Sequence, residues 1–346
     1  MSKYFHNQNS FLEPNVKQYG SHHVMTNVSK STRNTIINID TRYKDETTYS
    51  SATSAAVKPF SNFSLTCTPA PSAPQPNANI PYYVGTNTSS NCNITLPDRI
   101  NGVINMTVCN AEIPMSFYNI SSALGNTCFK ITNLNNTPNE DTIIQIPEGE
   151  YNQSTLVTAI NQALIAASLG EFTISIVNGK TTIMRSSYTI PMSIRFDIMP
   201  NGSIDKFHFK HKLGWLLGFR KTNYFLPASA DGGSIVSESL VDLNGIRYAY
   251  LVIDEFTKNS ENTFVSNTNY IGRNILAKIS FNKQLYPFGT VQHMSKDDGY
   301  LLSTVRSYGG KIDLQKINVQ LVDELGVPID LNGNDFMFSL MVEHEE

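Results

Sequence analysis

Phe336-Met337-Phe338-Ser339-Leu340-Met341-Val342, close to the C-terminus, is the last of four strand-like runs beyond about Leu240. The others are Tyr248-Ala249-Tyr250-Leu251-Val252-Ile253, Ile275-Leu276-Ala277-Lys278-Ile279-Ser280-Phe281 and Lys316-Ile317-Asn318-Val319-Gln320-Leu321-Val322, and a turn-rich segment, Asp323 to Asp335, joins the last two. These strands need partners, and the strands between residues 35 and 120 are also too few to close a core alone. The economical solution is a mainly β fold: a jelly-roll β-sandwich built from both ends of the chain, residues 35–127 and 235–346, with a small α+β module inserted over residues 128–234.

The early strands rest on short-range patterns. From Asn34 the chain alternates with period two, Ile37, Ile39 and Thr41 against Ile36, Asn38 and Asp40, before the turn-like Tyr43-Lys44-Asp45-Glu46. Asn62-Phe63-Ser64-Leu65-Thr66-Cys67 reads as a strand, and the Pro- and Asn-rich residues 68–90 read as an exposed loop. Asn93 to Leu96 and Val103 to Ile113 read as a strand pair turning around Asn101-Gly102.

The inserted module holds one convincing helix, at about 153–168. Asn152 can cap it, Leu156, Ile160, Ala163, Leu164 and Ala167 recur on one face, and Gly170 is expected to stop it. The flanking strands Phe129 to Thr132, Thr142 to Ile146, Phe172 to Ile176 and Thr181 to Met184, the last two joined at Asn178-Gly179, give a ββαββ order closed by Ser193 to Ile198.

Composition narrows the function. Charged residues make up only 16% of the 346, against roughly 25% in an average soluble domain. With 26 basic and 29 acidic residues the net charge is −3, which carries no chain-wide signature for nucleic acid or anionic membrane. Residues 1–34 contrast with the rest: Lys3, Lys17, Lys30 and Arg33 stand against Glu13 alone, a charge of +3 that leaves −6 on residues 35–346. A flexible basic arm is expected there, either one that pins itself along a partner or touches a polyanion, or a frayed terminus with no role. No apolar run approaches the roughly 18 residues that span a bilayer, and the first residues lack a signal-peptide core. No transmembrane segment and synthesis in the cytosol are expected, with Cys67, Cys92, Cys109 and Cys128 as reduced structural thiols.

The sequence carries few residues in patterns that do chemistry. No nucleophile elbow, phosphate loop or dinucleotide fingerprint occurs. His208 and His211 could share one side of a helical turn, but no third ligand follows at metal-binding spacing, and the alternation with Phe207 and Phe209 reads as an amphipathic edge. Asp330-Leu331-Asn332-Gly333-Asn334-Asp335 has its Gly at the wrong place for a calcium loop and reads as a turn, as does Asp242-Leu243-Asn244-Gly245. Asp254 with Glu255, and Asp323 with Glu324, are adjacent on strands, face opposite sides and read as solvated strand ends. No catalytic residue, cofactor or metal is expected. The sole tryptophan, in Leu213-Gly214-Trp215-Leu216-Leu217-Gly218-Phe219-Arg220, reads as core packing or as an interface anchor, which makes Trp215, Phe219 and Arg220 interface candidates beside the basic residues of the arm.

Taken in order, several segments resemble a recurrent pattern in capsid-associated proteins of nucleocytoplasmic large DNA viruses, the giant viruses of protists and algae. They are Ile36-Ile37-Asn38-Ile39-Asp40-Thr41-Arg42-Tyr43, Ala111-Glu112-Ile113-Pro114, Ile146-Pro147-Glu148-Gly149-Glu150-Tyr151, the tryptophan run 213–220, Arg247 to Asp254, Leu321 to Gly326 and Asp330 to Phe336. The resemblance runs from about residue 35 to the C-terminus and implies a jelly-roll structural protein of the virion, assembled in the host cytoplasm. It implies a minor capsid protein that joins or stabilises capsomers of an icosahedral particle, or alternatively a penton protein at the fivefold vertices. The implied partners are the major capsid protein, other minor capsid proteins or further copies of this chain, with no small-molecule substrate; nucleic acid contact by the arm stays open. Two other classes remain: a surface β-sandwich that binds glycans through loop Tyr and Asn side chains, and a polysaccharide-cleaving enzyme, which needs a spatial carboxylate pair.

Overall fold

The computed structural model describes residues 16–19, 22–25, 31–45, 88–135, 140–186, 190–206, 208–229, 232–256 and 274–345. Strand β1 (Val16–Tyr19) pairs antiparallel with β2 (His22–Met25), so the segment expected as a flexible basic arm carries a hairpin. Strand β3 (Thr32–Asp40) starts earlier than expected and takes Arg33 out of the arm, because the last strand is long enough to pair with it as far as Thr32. Lys3 and Lys30 lie outside the described residues, as do Cys67, the strand expected at Asn62–Cys67 and the expected loop up to residue 87.

Asn101-Gly102 is not a hairpin turn. Strand β4 runs unbroken from Asn91 to Pro114, and Gly102, at φ +68°, sits in a bulge within it. The cause lies in the facing strand: β16 (Arg306–Val322) is long enough to pair along β4 from Gln320↔Asn91 to Arg306↔Met106, with register shifts between. Asp313 on β16 holds the bulge, accepting from Gly102 N at 3.2 Å and pairing with Arg99.

The middle of the chain forms β5 (Cys128–Asn133), β6 (Glu140–Gln145), α1 (Gln153–Ala166), β7 (Phe172–Val177), β8 (Lys180–Arg185), β9 (Met192–Arg195), the short α2 (Leu213–Leu216), β10 (Asn223–Leu226) and β11 (Gly233–Val236). They make two antiparallel sheets, β10-β9-β5-β6 and β11-β8-β7. Asn152 caps α1 by accepting from Thr155 N at 2.9 Å, and Leu156, Ile160 and Leu164 bury its apolar stripe against both sheets in a core of their own. Gly170 does not end the helix. Ser168 takes the left-handed position at φ +59°, with Ser168 N donating to Ile165 O and Leu169 N to Leu164 O, the two bonds of a Schellman cap. Ser168→Gly is therefore expected to stabilise the protein by about 0.5–1 kcal/mol, read as a rise in thermal midpoint. Asn178 and Gly179, at φ +51° and +73°, form the expected tight hairpin turn between β7 and β8.

The rest of the strands are β12 (Tyr248–Asp254), β13 (Ile275–Ser280), β14 (Val291–Ser295), β15 (Leu301–Ser303), β16 and β17 (Met337–Glu345). With β3 and β4 they make one antiparallel sheet of eight strands, ordered β15-β13-β12-β16-β4-β17-β3, with β14 on the far end of β4. All eight bury one face in a single core that includes Ile39, Met106, Leu251, Leu276, Met294, Leu301, Val319 and Phe338. Eight strands share one core only if the sheet curls over itself, and Ser303 of β15 in fact reaches Val108 N of β4 at 3.0 Å. The result is a mainly β, jelly-roll β-sandwich.

Two carboxylates expected at solvated strand ends are buried instead. Glu255 faces the fully buried Arg306 at 2.8 Å, and Asp323 is 3% exposed, with Oδ1 accepting from Leu325 N and Val327 N at 2.9 Å each. Both strands run past the sheet edge into covered turns, so adjacency assigned opposite faces to each pair without saying which face lies under cover.

Candidate interface surfaces

The sheet β11-β8-β7 packs its inner face, Phe172, Ile174, Ile183 and Ile235, against α1 and the module core. Period-two alternation then turns Thr173, Ser175, Val177, Lys180, Thr182, Met184, Ser234 and Val236 outward. The strand register sets them in rows, Thr173–Met184–Ser234 and Ser175–Thr182–Val236, with Val177 opposite Lys180. Val177, Met184 and Val236 are each more than half exposed, and Leu240, beside the Gly179 turn, is 62% exposed. Lys180 is the one charged side chain among these outward positions. The sequence holds a signal for this face that reading for core positions passes over: Thr, Ser, Val and Met occupy the alternate places where a solvated sheet carries Lys, Glu and Asp.

The tryptophan run is built differently from either expectation. Leu213, Leu217 and Phe219 are buried, and Phe219 stacks on Phe196 at 4.9 Å and meets Tyr224 edge-on at 5.1 Å. Phe219 is therefore core and cannot anchor a partner, which corrects its place among the interface candidates. The glycines permit this packing: a Cβ on Gly214 would fall 2.3 Å from Phe196, and Gly218, at φ +94°, lies against Ser239 O. Trp215 is half-buried, with the Arg220 guanidinium 4.0 Å above its ring and Phe209 edge-on at 5.7 Å. Arg220 also donates to Trp215 O at 3.0 Å and Phe219 O at 3.1 Å, so this surface pair is locked within the chain. Of the basic candidates, Lys17 lies on β1 and Arg33 on β3 opposite His344, in two separate sheets, whereas Trp215 lies on α2.

A groove of about 780 Å³ lies between sandwich and module, lined by Phe209, His211 and Trp215 on one side and Tyr248, Asp323 and Glu324 on the other. Beneath it Asp205 accepts a buried ion pair from Lys212 at 2.9 Å and meets His208 Nδ1 at 3.1 Å, while Lys212 also donates to Gly125 O at 3.0 Å. The structure thus engages His208 with a carboxylate, and burial drives His211 down to about 4, which keeps its ring neutral at pH 7. Among the described residues no three His, Cys, Asp or Glu side chains gather closely enough to hold a metal ion. Sandwich and module are tied beside the groove by Lys283 and Glu150 at 3.1 Å, and by Asn119, whose amide donates to Tyr151 O and Leu243 O. The Asn244-Gly245 turn, Gly245 at φ +63°, packs on Asn119 at this junction and does not link two strands of one sheet. Asn332 and Gly333, at φ +52° and +78°, form the expected turn before β17. Cys92, Cys109 and Cys128 are free thiols. Among the described residues no helix is long and apolar enough to cross a membrane.

No protein-family model and no curated protein matches the chain. Among solved structures, the mavirus penton protein is similar at a TM-score of 0.36 and 9% identity, over 74% of this chain and 91% of that one.

Proposed function

We propose that the chain is a structural virion protein, a minor capsid protein that joins or stabilises capsomers of an icosahedral large DNA virus. The observation that carries the proposal is the outward face of β7, β8 and β11. It is an array of Thr, Ser, Val and Met side chains with Lys180 as its one charge, and it lies at the surface of a unit already complete in its own core. Interfaces are depleted in charge at their centres, and this face shares that depletion. The order of sequence segments that resemble capsid-associated proteins supports the same reading, and the jelly-roll sandwich supplies a rigid body to carry the face. The role is structural rather than catalytic, and it is played in the virion against neighbouring capsid proteins.

Placing lysines on the face tests the proposal. Met184→Lys with Val236→Lys changes side chains already more than half exposed, so the thermal midpoint is expected to move by only a few degrees. Incorporation into particles is expected to fall at least about tenfold, since burying new charge in an interface core is costly. Unchanged incorporation would remove this face from the assembly.

A further inference from the structure

The sheet edges of this protein are finished in different ways. The outer edge of β7 is closed by Asn161 of α1, which donates to Ile174 O at 2.9 Å and accepts from Ile174 N at 2.8 Å. The first stretch of β4 is covered by Asp45, which accepts from Thr95 N at 2.9 Å and donates its own N–H to Asn93 O at 2.8 Å. β15 folds back onto β4 through Ser303. β6 opens with Glu140 and Asp141, the length of β16 beyond β12 carries Lys311, Asp313 and Lys316, and β10, β11 and β14 have only four or five residues each. Charge, shortness and capping are the devices that stop a sheet edge from pairing with another chain.

β3 is not short, its two charges, Arg33 and Asp40, stand near its ends, and among the described residues no side chain caps its outer edge. It is nine residues long, contains no proline, and among the described residues pairs on one side only, with β17. From Asn34 to Asn38 it has no charge, and Ile36, at its centre, is 65% exposed. Its free side is a row of backbone donors and acceptors ready for a further strand.

The strand is complementary to itself. If a second β3 is added antiparallel, outward side chains meet outward side chains, so even-numbered positions oppose even-numbered ones. The central register sets Ile36 opposite Ile36, Asn34 opposite Asn38 on both sides of it, and Thr32 opposite Asp40; on the inner face Thr35 meets Ile37 and Arg33 meets Ile39. The centre is apolar, amide pairs flank it, and nowhere do like charges stand opposite each other. We infer that β3 is a self-association edge, through which two copies of this chain join their eight-stranded sheets about a two-fold axis at Ile36.

The inference goes beyond the capsid role and fails separately from it, because it is read on purified full-length protein in solution. Sedimentation velocity is expected to show a monomer–dimer equilibrium between about 1 and 200 µM. Ile36→Lys sets two like charges on the axis at a position already exposed. It is expected to leave the circular dichroism spectrum unchanged and to weaken the dimer about five- to tenfold. Ile36→Cys is expected to form a 36–36 disulfide between copies on mild oxidation, since directly opposed Cβ atoms lie within bridging reach, whereas Ile165→Cys, equally exposed on α1, is not. A protein that stays monomeric to about 200 µM, a dimer that Ile36→Lys leaves intact, or cross-linking at Ile165→Cys as readily as at Ile36→Cys would overturn the inference.

Discussion

Arg306→Leu is expected to destabilise the protein by about 3–5 kcal/mol, the cost of stranding a buried charge without its partner. Arg306 is 1% exposed at the start of β16, and its guanidinium gathers three acceptors: Ile253 O at 2.8 Å, Glu255 Oε2 at 2.8 Å and Asn274 O at 2.6 Å. One side chain thereby ties the end of β12 to the start of β13 and neutralises a buried carboxylate. Removing it leaves Glu255 charged or forced to take up a proton and takes the Arg306 donor from Ile253 O, while Asn274 O keeps the Ile253 N–H at 3.0 Å. The Arg306→Leu, Glu255→Leu double variant is expected to be less destabilised than Arg306→Leu alone, because the orphaned charge disappears with its partner. Urea unfolding of the two singles and the double measures this directly. Strictly additive losses would show that the pair contributes nothing as a pair.

Asp323→Asn is expected to stabilise the protein at pH 8 by roughly 2–4 kcal/mol and to do little at pH 4. Burial pushes the Asp323 carboxyl up to about 7, helped by the neighbouring charge of Glu324 and opposed by the backbone N–H groups of Val327, Leu325 and Gly326. A carboxyl whose pKa is raised on folding holds its proton more tightly in the native state than in the unfolded chain. Below about pH 4 both states are protonated and the group is neutral for stability. Between about pH 4 and 7 the unfolded state ionises first, so stability falls as pH rises, and above about 7 the full loss is present. Asparagine keeps an oxygen to accept from Leu325 and Val327 and removes the ionisation. Unfolding midpoints of wild type and variant should therefore diverge as pH climbs through this window; parallel curves would place the buried charge elsewhere.

Arg306, Glu255 and Asp323 are residues whose type is plain in the sequence and whose setting is not. Period two separates the faces of a strand, and the runs at Val103 to Ile113, Tyr248 to Ile253 and Phe336 to Val342 all became strands of the sandwich sheet. Alternation cannot say how far cover extends past the last strand residue, so Glu255 and Asp323 looked solvated. Asn-Gly marks positive φ wherever it falls. At 178–179 it is a hairpin turn, at 101–102 a bulge, and the difference lies in β16, some two hundred residues away. The glycine-bracketed run 213–220 shows the same limit: glycines 214 and 218 signal close packing, which put Phe219 inside and left Trp215 and Arg220 stacked on each other. Neither surface proposed for assembly is a motif. The outer face of β7, β8 and β11 and the open edge of β3 both depend on what is missing from alternate positions, charge in the first and interruption in the second, and that pattern carries meaning only once the strands are in register.

Quantitative mass spectrometry of purified particles from cells that produce this protein tests a structural role in the capsid. The chain is expected to copurify in fixed stoichiometry with the major shell protein, at many hundreds of copies per particle for a shell-lining minor capsid protein. About 60 copies, five for each of twelve vertices, would move it to the penton position within the same role. Its absence from particles that are otherwise complete would rule out a structural role in the capsid.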